Sequence, residues 1–287
     1  MNVEIEHYLD STSLESAEQK KLITEMVATL EPEQLGQVIE FLKKPFFTHK
    51  LKDYLIDSEL PDIQSKEFQF LVQAAKYDGN IVRKIMNEEN ISHYYLDKFI
   101  DKYHLKKISP GSYIFPQKRI DAPFLFQVQY SKSVISHESA LYMLDFTDVI
   151  PKKIIMSMPK DYKFSQLEKR RNEFIQIYYD TYNGNKSLVI CYPENEPIFL
   201  TKNAPIGKQE IVTKPTISQN PVRVTSEERT IADILAPNSN VEEEVKQMAL
   251  IKYHQKHSHD MVRLRRIAAK QKALTELDDY LVKLKIH

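Results

Sequence analysis

The 287-residue sequence contains one cysteine, five glycines and no tryptophan. A single cysteine, Cys191, excludes an internal disulfide framework and a zinc site built on cysteines. It lies in the apolar run SLVICY, so we expect it to be a small core residue. Five glycines leave no glycine-rich phosphate loop, and neither GxxxxGK[ST] nor GxGxxG occurs.

Long apolar runs are also missing. No stretch of about 18 apolar residues occurs, so we expect no membrane span. The first ten residues, MNVEIEHYLD, are acidic and lack the apolar core of a signal peptide. The sequence therefore predicts a cytoplasmic protein, and its 42% apolar and 28% charged residues are ordinary for a globular one.

The net charge is zero, but charges of each sign are segregated along the chain. Residues 1–60 hold six Lys and Arg against twelve Asp and Glu, whereas residues 61–119 and 240–287 each hold ten against seven. Residues 120–239 hold fourteen of each sign. This basicity is mild for a domain that binds nucleic acid, although a dimer that contacts short half-sites needs less charge per subunit.

Residues 1–60 predict an acidic helical N-terminal extension. Leu35, Val38, Ile39 and Leu42 have the spacing of a buried helix face. Leu60-Pro61-Asp62 is a plausible boundary, so we expect the next domain to begin at residue 61.

Residues 61–119 predict three helices and a hairpin. The first helix covers residues 64–78, and we expect its buried face to hold Phe68, Leu71, Val72 and Ala75. Asp78-Gly79-Asn80 ends it. A short second helix is predicted around Ile81, Val82, Ile85 and Met86.

The third helix and the hairpin form the stretch ISHYYLDKFIDKYHLKKISPGSYIF, residues 91–115. Its predicted buried face holds Leu96, Phe99, Ile100 and Tyr103, and either Asn90 or Ser92 is expected to cap it. Ser109-Pro110-Gly111-Ser112 is strong turn chemistry between two strand-like runs. Three helices and a basic hairpin within about 55 residues match a winged helix-turn-helix. The alternative is an ordinary helix and hairpin within another α/β domain.

On the winged-helix interpretation, the front of the third helix contacts base edges and the surrounding basic residues contact phosphates. Base contacts are expected from Ser92, His93 and either Tyr94 or Tyr95, with one of the two tyrosines packed inward. Phosphate contacts are expected from Arg83, Lys84, Lys98, Lys102, Lys106, Lys107, Lys118 and Arg119.

Residues 120–287 predict a mixed α/β C-terminal domain, so the whole chain is expected to be α+β. Strands are predicted at 152–159, 174–179, 187–192, 198–200 and 222–224. Asn183-Gly184 predicts a hairpin turn. Thr225 is predicted to cap a helix, with Glu228 completing a capping box, and two long helices, about 241–255 and 259–284, complete the chain.

Two polar clusters are candidates for a catalytic or a metal site. Ser136, His137, Glu138 and Ser139 are consecutive, so on a helix they point in different directions and should not form a triad. We expect His137 and Glu138 to fix the helix to the sheet. His254, His257 and His259 do not share a helix face and have no further ligand nearby, so no metal site is predicted.

Arg229 and Asp233 form a third polar group, at i, i+4 spacing on one helix face. The simpler interpretation is a capped helix with an internal ion pair. The functional interpretation places Arg229 and Asp233, together with Arg263 and Arg266, on a surface used by the C-terminal domain. No catalytic residue and no cofactor are predicted.

Three blocks of this sequence resemble one family, the AbiEi-type antitoxins of abortive-infection AbiE systems. The stretch 91–115 resembles the family's winged helix, VISHESALYMLDFTDVIP resembles the block that follows the wing, and TSEERTIADIL resembles a later helix. The blocks keep the family's order and approximate spacing over residues 64–287. Length and the acidic N-terminus are similar to the streptococcal–lactococcal branch.

The resemblance implies an antitoxin without enzymatic activity that counteracts a nucleotidyltransferase toxin, with no stable complex between them. It also implies repression of the protein's own operon through promoter inverted repeats in double-stranded DNA, with self-association on DNA as an accompanying step. The surface assigned to Arg229, Asp233, Arg263 and Arg266 would then be the antitoxic one. Two alternatives are that the C-terminal domain modifies the toxin, as a kinase would, and that the N-terminal helices bind the toxin directly.

Overall fold

The structure is a computed structural model that describes residues 29, 31, 53–56, 61–62, 64–171, 174, 176–203, 205–237, 239–257 and 261–286. By its internal contacts the chain divides into two units, Met1–Leu60 and Pro61–His287. The helical extension predicted for residues 1–60 lies outside the described residues, apart from a few positions. The following description therefore concerns the second unit, which is mixed α/β.

Ten helices and ten strands make up the described part of this unit. The helices are α1 (Lys66–Lys76), α2 (Arg83–Glu88), α3 (His93–Lys102), α4 (Ala122–Gln129), α5 (His137–Met143), α6 (Ser165–Glu168), α7 (Glu227–Leu235), α8 (Glu243–Lys256), α9 (Val262–Lys270) and α10 (Leu274–Lys283). The strands are β1 (Asn80–Val82), β2 (Lys106–Ser109), β3 (Ser112–Ile114), β4 (Val134–Ile135), β5 (Ile154–Pro159), β6 (Gln176–Tyr182), β7 (Asn185–Cys191), β8 (Ile198–Asn203), β9 (Ile211–Pro215) and β10 (Pro221–Thr225).

Helix α1 begins at Ser65, whose hydroxyl accepts a hydrogen bond from the amide of Phe68 at 3.1 Å. Its buried residues are Phe70, Leu71 and Ala74. The face predicted from spacing was therefore wrong in part, because Val72 is 39% exposed. The aromatic cluster decides the face, since the Phe70 ring stacks on Phe99 at 4.9 Å and on Phe115 at 5.8 Å.

The predicted second helix begins later than expected. Residues Asn80–Val82 form strand β1, which pairs antiparallel with β3, and helix α2 starts only at Arg83. All three residues of β1 are buried. The β-branched side chains of Ile81 and Val82 suit a strand buried on both faces better than a helix start.

The predicted third helix and hairpin are confirmed. Leu96, Phe99 and Tyr103 of this segment are buried. Strands β2 and β3 pair antiparallel across the turn, in which Gly111 has φ +75°. With β1 they make a three-stranded sheet in the order β1-β3-β2.

Helix α4 connects this small sheet to the larger one. Asp121 precedes it, and its amide donates to Asn80 Oδ1 at 2.9 Å while its carboxylate accepts from Asn220 Nδ2 at 2.8 Å. Burial raises the pKa of Asp121 above its ordinary value, against the hydrogen bonds from Thr216, Asn220 and the Phe124 amide. The Gln127 amide pairs twice with the backbone of Arg223 in β10, at 2.7 and 2.8 Å.

The larger sheet has seven strands in the order β6-β7-β8-β5-β4-β10-β9. Two pairs, β5 with β8 and β4 with β10, are parallel, and the other four are antiparallel. The predicted strands are all present. Asn183 and Gly184, both with positive φ (50° and 71°), form the predicted turn between β6 and β7.

Two predictions about the C-terminal helices were wrong. Ser226, not Thr225, caps α7: its hydroxyl accepts from the Arg229 amide at 3.4 Å, while the Thr225 hydroxyl contacts that of Thr230 at 2.7 Å. The single long final helix is instead α9 and α10, divided at Lys272, which has φ +60°. The Ala273 amide donates back to the Ala268 carbonyl at 2.9 Å, which closes the end of α9. None of the described helices is long and apolar enough to cross a bilayer.

Candidate functional site

Within residues 61–119, one face combines the first residues of α3 with the β2–β3 hairpin. Ser92, His93, Tyr94 and Tyr95 are all exposed there, Tyr94 by 69% and Tyr95 by 39%. Tyr95 is the more covered of the two because its ring stacks on Phe99 at 6.2 Å. The expectation that one tyrosine packs inward was therefore wrong: both rings remain at the surface.

Several of the basic residues expected to contact phosphates carry no partner of opposite charge. Lys84, Lys98, Lys106, Lys107 and Arg119 are exposed and form no ion pair within the described residues. The Lys98 ammonium lies 5.9 Å from the centre of the Tyr94 ring. The charge of each of these five residues is therefore available to an anionic partner.

Three other basic residues that were expected to contact phosphates form ion pairs with carboxylates instead. Arg83 donates to Asp97 at 2.6 Å and to the Tyr113 hydroxyl at 3.1 Å, which links α2, α3 and β3. Its hydrogen bonds to Asp97 and Tyr113 raise the pKa of Arg83. Lys118 lies 3.5 Å from the Asp78 carboxylate. The structure thus gives Arg83 and Lys118 partners within the fold.

Lys102 is the third. It donates to Glu67 of α1 at 2.5 Å, and Tyr103 donates to the same oxygen at 2.5 Å. Burial acts to raise the pKa of Glu67, but the hydrogen bonds from Lys102 and Tyr103 outweigh it and lower that pKa. Lys102 therefore joins α3 to α1 as well as facing solvent.

The Ser136–Ser139 segment lies at the start of α5, against the large sheet. His137 has φ +54° and Ser136 is extended, so Ser136 Oγ and His137 Nδ1 meet at 2.9 Å. The positive φ turns the His137 side chain back towards Ser136, a contact that helix spacing did not predict. Glu138 accepts from Tyr182 of β6, which agrees with the expected role in fixing helix to sheet.

A chain of hydrogen bonds leads into this histidine. Asn203 Nδ2 donates to Ser157 Oγ at 3.2 Å, and Ser157 Oγ donates to Ser136 Oγ at 2.7 Å. Ser136 then has its proton available for His137 Nδ1.

The interpretation that placed Arg229 and Asp233 on a surface was wrong, whereas the simpler one, a capped helix with an internal ion pair, is confirmed. Arg229 is fully buried and Asp233 is 3% exposed. The guanidinium donates to Asp233 at 2.9 Å, to Glu210 at 2.8 Å and to the Pro205 carbonyl at 3.2 Å. The i, i+4 pair exists as predicted, but the interior of the domain surrounds it.

The other two residues of that predicted surface differ in exposure. Arg263 is half-buried and lies 3.2 Å from Glu228, with a second hydrogen bond to the Gln209 carbonyl at 2.7 Å. Arg266 is exposed. Of the four, Arg266 is the most accessible to a partner protein.

A pocket of about 320 Å³ opens beside His137. Tyr182, Lys186, Ser187, Lys202 and Asp233 also line it. Ser187 Oγ and Asp233 Oδ2 are buried there and have no hydrogen-bond partner within the described residues. Burial and the neighbouring Glu138 carboxylate raise the pKa of Tyr182, so its hydroxyl keeps its proton. Sequence patterns missed this pocket, because its residues come from three strands and two helices.

No metal site was predicted at His254, His257 and His259. His257 Nε2 lies 2.7 Å from Glu227, while His259 lies outside the described residues. No group of three or more His, Cys, Asp or Glu is arranged to hold a metal ion in the part of the chain that the structure covers.

Comparisons with known proteins assign no family. No family model matches the chain, and no curated protein matches it. Among solved structures, the chain is similar to a "putative nucleotidyltransferase from H. pylori", with 15% identity and a TM-score of 0.30. The match covers 59% of this chain and 85% of that one. A likeness of this size assigns neither fold nor function.

Proposed function

We propose that residues 61–119 are a winged helix-turn-helix that binds double-stranded DNA. The observation that carries this proposal is the joint exposure of the α3 front and of the hairpin lysines, which form no ion pair with any described residue. Helix α3 buries Leu96 and Phe99 and leaves Tyr94, His93 and Ser92 free to enter a groove. Lys106 and Lys107 of β2 lie where a wing would contact phosphates.

We further propose that the whole chain is an antitoxin of the AbiE type that represses its own operon through inverted repeats. The three sequence blocks described above support this assignment. The toxin it counteracts would be a nucleotidyltransferase, neutralised without a stable complex and without catalysis by this chain. Repression would depend on the α3 face, and the antitoxic surface would include Arg266.

The DNA proposal is tested by salt titration of promoter binding with the full chain. Lys106→Ala with Lys107→Ala removes two expected phosphate contacts. The negative slope of log affinity against log salt concentration should therefore become less steep by about 2. Affinity should fall by about tenfold or more at about 0.1 M salt. Fluorescence anisotropy with a labelled operator fragment measures both.

The matched control is Lys160→Ala with Lys163→Ala, which removes the same charge from two exposed lysines of the loop after β5. This control should keep the wild-type slope. If the hairpin variant and the control lose affinity equally, the hairpin contacts no phosphate and the winged-helix assignment fails.

The antitoxin proposal has a separate test. Co-expression with the cognate toxin should restore growth, and Arg266→Ala should reduce this rescue without changing promoter repression. Intact-mass analysis of the rescued toxin should show no modification. An ATP-dependent mass shift, or toxin that co-purifies stably with this chain, would instead favour the two alternatives of modification and direct binding.

A further inference from the structure

We propose that Asp97 of helix α3 determines base specificity by accepting a hydrogen bond from the N4 amino group of a cytosine in the major groove. This inference rests on the proposed DNA binding by residues 61–119, and it names the base that one residue of α3 recognises. Base contacts were expected only from Ser92, His93 and a tyrosine. The side chain of Asp97 is 61% exposed and therefore accessible to a bound duplex.

Asp97 shares one exposed side of α3 with a residue expected to contact bases. It lies four residues after His93, so the two side chains are neighbours on the same face of the helix. His93 and Asp97 are both exposed, whereas Leu96 and Phe99 are buried on the other side. A helix that enters the major groove through His93 therefore brings Asp97 close to the base edges as well.

The carboxylate of Asp97 is held at one oxygen and available at the other. Oδ1 accepts from Arg83 at 2.6 Å, and the same guanidinium donates to the Tyr113 hydroxyl at 3.1 Å. Oδ2 accepts no hydrogen bond within the described residues. The hydrogen bond from Arg83 lowers the pKa of Asp97, so the carboxylate is ionised at neutral pH and can only accept.

An ionised carboxylate distinguishes the bases by the groups that they present in the major groove. Cytosine presents an amino donor there, whereas guanine and thymine present acceptors. Adenine presents an amino donor beside the acceptor N7, which a carboxylate repels. Cytosine is therefore the base that suits Asp97 best.

The alternative role for Asp97 is to anchor Arg83 and thereby join α2 to α3. The two roles predict opposite effects of removing the carboxylate. Loss of an anchor weakens binding to every DNA sequence. Loss of a base contact relaxes the sequence preference, and it strengthens binding to unrelated DNA, because a negative charge no longer lies beside the phosphates.

Selection from double-stranded DNA with a randomised core, followed by anisotropy titration of the enriched site, tests the assignment with the full chain. The wild-type chain should enrich a C·G pair at one position and bind about fivefold or more weakly when that pair is replaced. Asp97→Ala should lose this preference, while its affinity for unrelated DNA rises by about twofold or more. Asp97→Asn should change the preference to adenine, because an amide pairs with adenine N6 and N7.

Two further variants separate base recognition from charge and from anchoring. Asp101→Ala removes the same charge one helical turn further from the start of α3, and it should keep the wild-type base preference. Arg83→Ala removes the cation but keeps the carboxylate. Its affinity should fall for all sequences, while the preference for cytosine remains.

The outcomes distinguish this inference from the proposal on which it rests. If the wild-type chain binds no double-stranded DNA, both are overturned. If the base preference is the same in wild type and in Asp97→Ala, the role of Asp97 is overturned and DNA binding by the winged helix is not. A uniform loss of affinity in Asp97→Ala that Arg83→Ala reproduces would show that Asp97 only anchors Arg83.

Discussion

At the scale of single residues, Arg229 is a charged side chain that the fold encloses completely. The i, i+4 spacing to Asp233 predicts their contact correctly. It does not predict burial, because the second carboxylate, Glu210, and the Pro205 carbonyl come from the segment before β9. Likewise Ser187 Oγ and Asp233 Oδ2, which have no hydrogen-bond partner among the described residues, owe their burial to tertiary packing, which no local pattern in the sequence encodes.

Replacing Arg229 should therefore affect stability more than any surface function. Arg229→Ala leaves the carboxylates of Glu210 and Asp233 without their shared cation, so unfolding free energy should fall by about 3–5 kcal/mol. Urea denaturation of the purified chain measures this.

The control is Arg266→Ala on the exposed face of α9, which should change stability by less than about 0.5 kcal/mol. Equal effects of the two substitutions would mean that the buried cluster contributes nothing specific to stability.

At the scale of elements, the residues typical of turns predicted the positions of the hairpins most reliably. Asn183-Gly184 and Pro110-Gly111 each occupy the turn of a hairpin, because both sequences supply residues that accept positive φ. The break between α9 and α10 lacks such a signal, since Gln271-Lys272-Ala273 contains neither glycine nor proline. Strand β1 escaped prediction because three residues are too few to show a period.

Gly79, between α1 and β1, combines positive φ with close packing. A Cβ added there would lie 2.7 Å from Lys118 Cγ, whereas one added at Gly184 would meet nothing within 4 Å. Gly184→Ala should therefore lower stability only by the left-handed penalty of about 1–2 kcal/mol. Gly79→Ala should add a packing penalty of about 1–3 kcal/mol.

Thermal or urea denaturation of the two variants side by side measures the difference. Because both glycines have nearly the same φ, +75° and +71°, the comparison isolates the close contacts with Lys118 and Phe115. If the two variants lose similar unfolding free energy, the Lys118 side chain moves aside without any cost in stability.

At the scale of the whole molecule, composition and periodicity predict an α+β chain, and the residues that the structure describes are mixed α/β. The order of strands in the large sheet could not be predicted, because β4 pairs with β10 across the entire β5–β9 region. The arrangement of the last three helices also depends on side chains distant in sequence. Glu243 at the start of α8 accepts from Lys283 and Tyr280 of α10.

This contact makes a prediction about acid stability. The hydrogen bonds from Lys283, Tyr280 and Gln247 lower the pKa of Glu243 from 4.5 to about 2. A carboxylate whose pKa is lower in the folded state stabilises the fold above its unfolded pKa, and that contribution is lost as pH falls through the folded value. Glu243→Gln should therefore flatten the loss of stability between those two pH values.

Urea midpoints measured across this pH range test the prediction. Glu244→Gln is the control, since Glu244 is exposed and forms no ion pair among the described residues. Because Glu243 is at the surface, salt should reduce the difference between the two variants. A Glu243→Gln profile identical to wild type at low salt would contradict the assignment.

The pairing of β4 with β10 has a consequence for synthesis on the ribosome. When β4 and β5 have emerged, 61 residues (160–220) still precede Pro221, the first residue of β10. At typical translation rates this interval lasts roughly 3–12 s. During this interval one side of β4 is an open strand edge, and the Asp121 carboxylate lacks the hydrogen bond from Asn220. With only Val134 and Ile135 in its ladder, β4 offers a nascent neighbour on the polysome little to pair with.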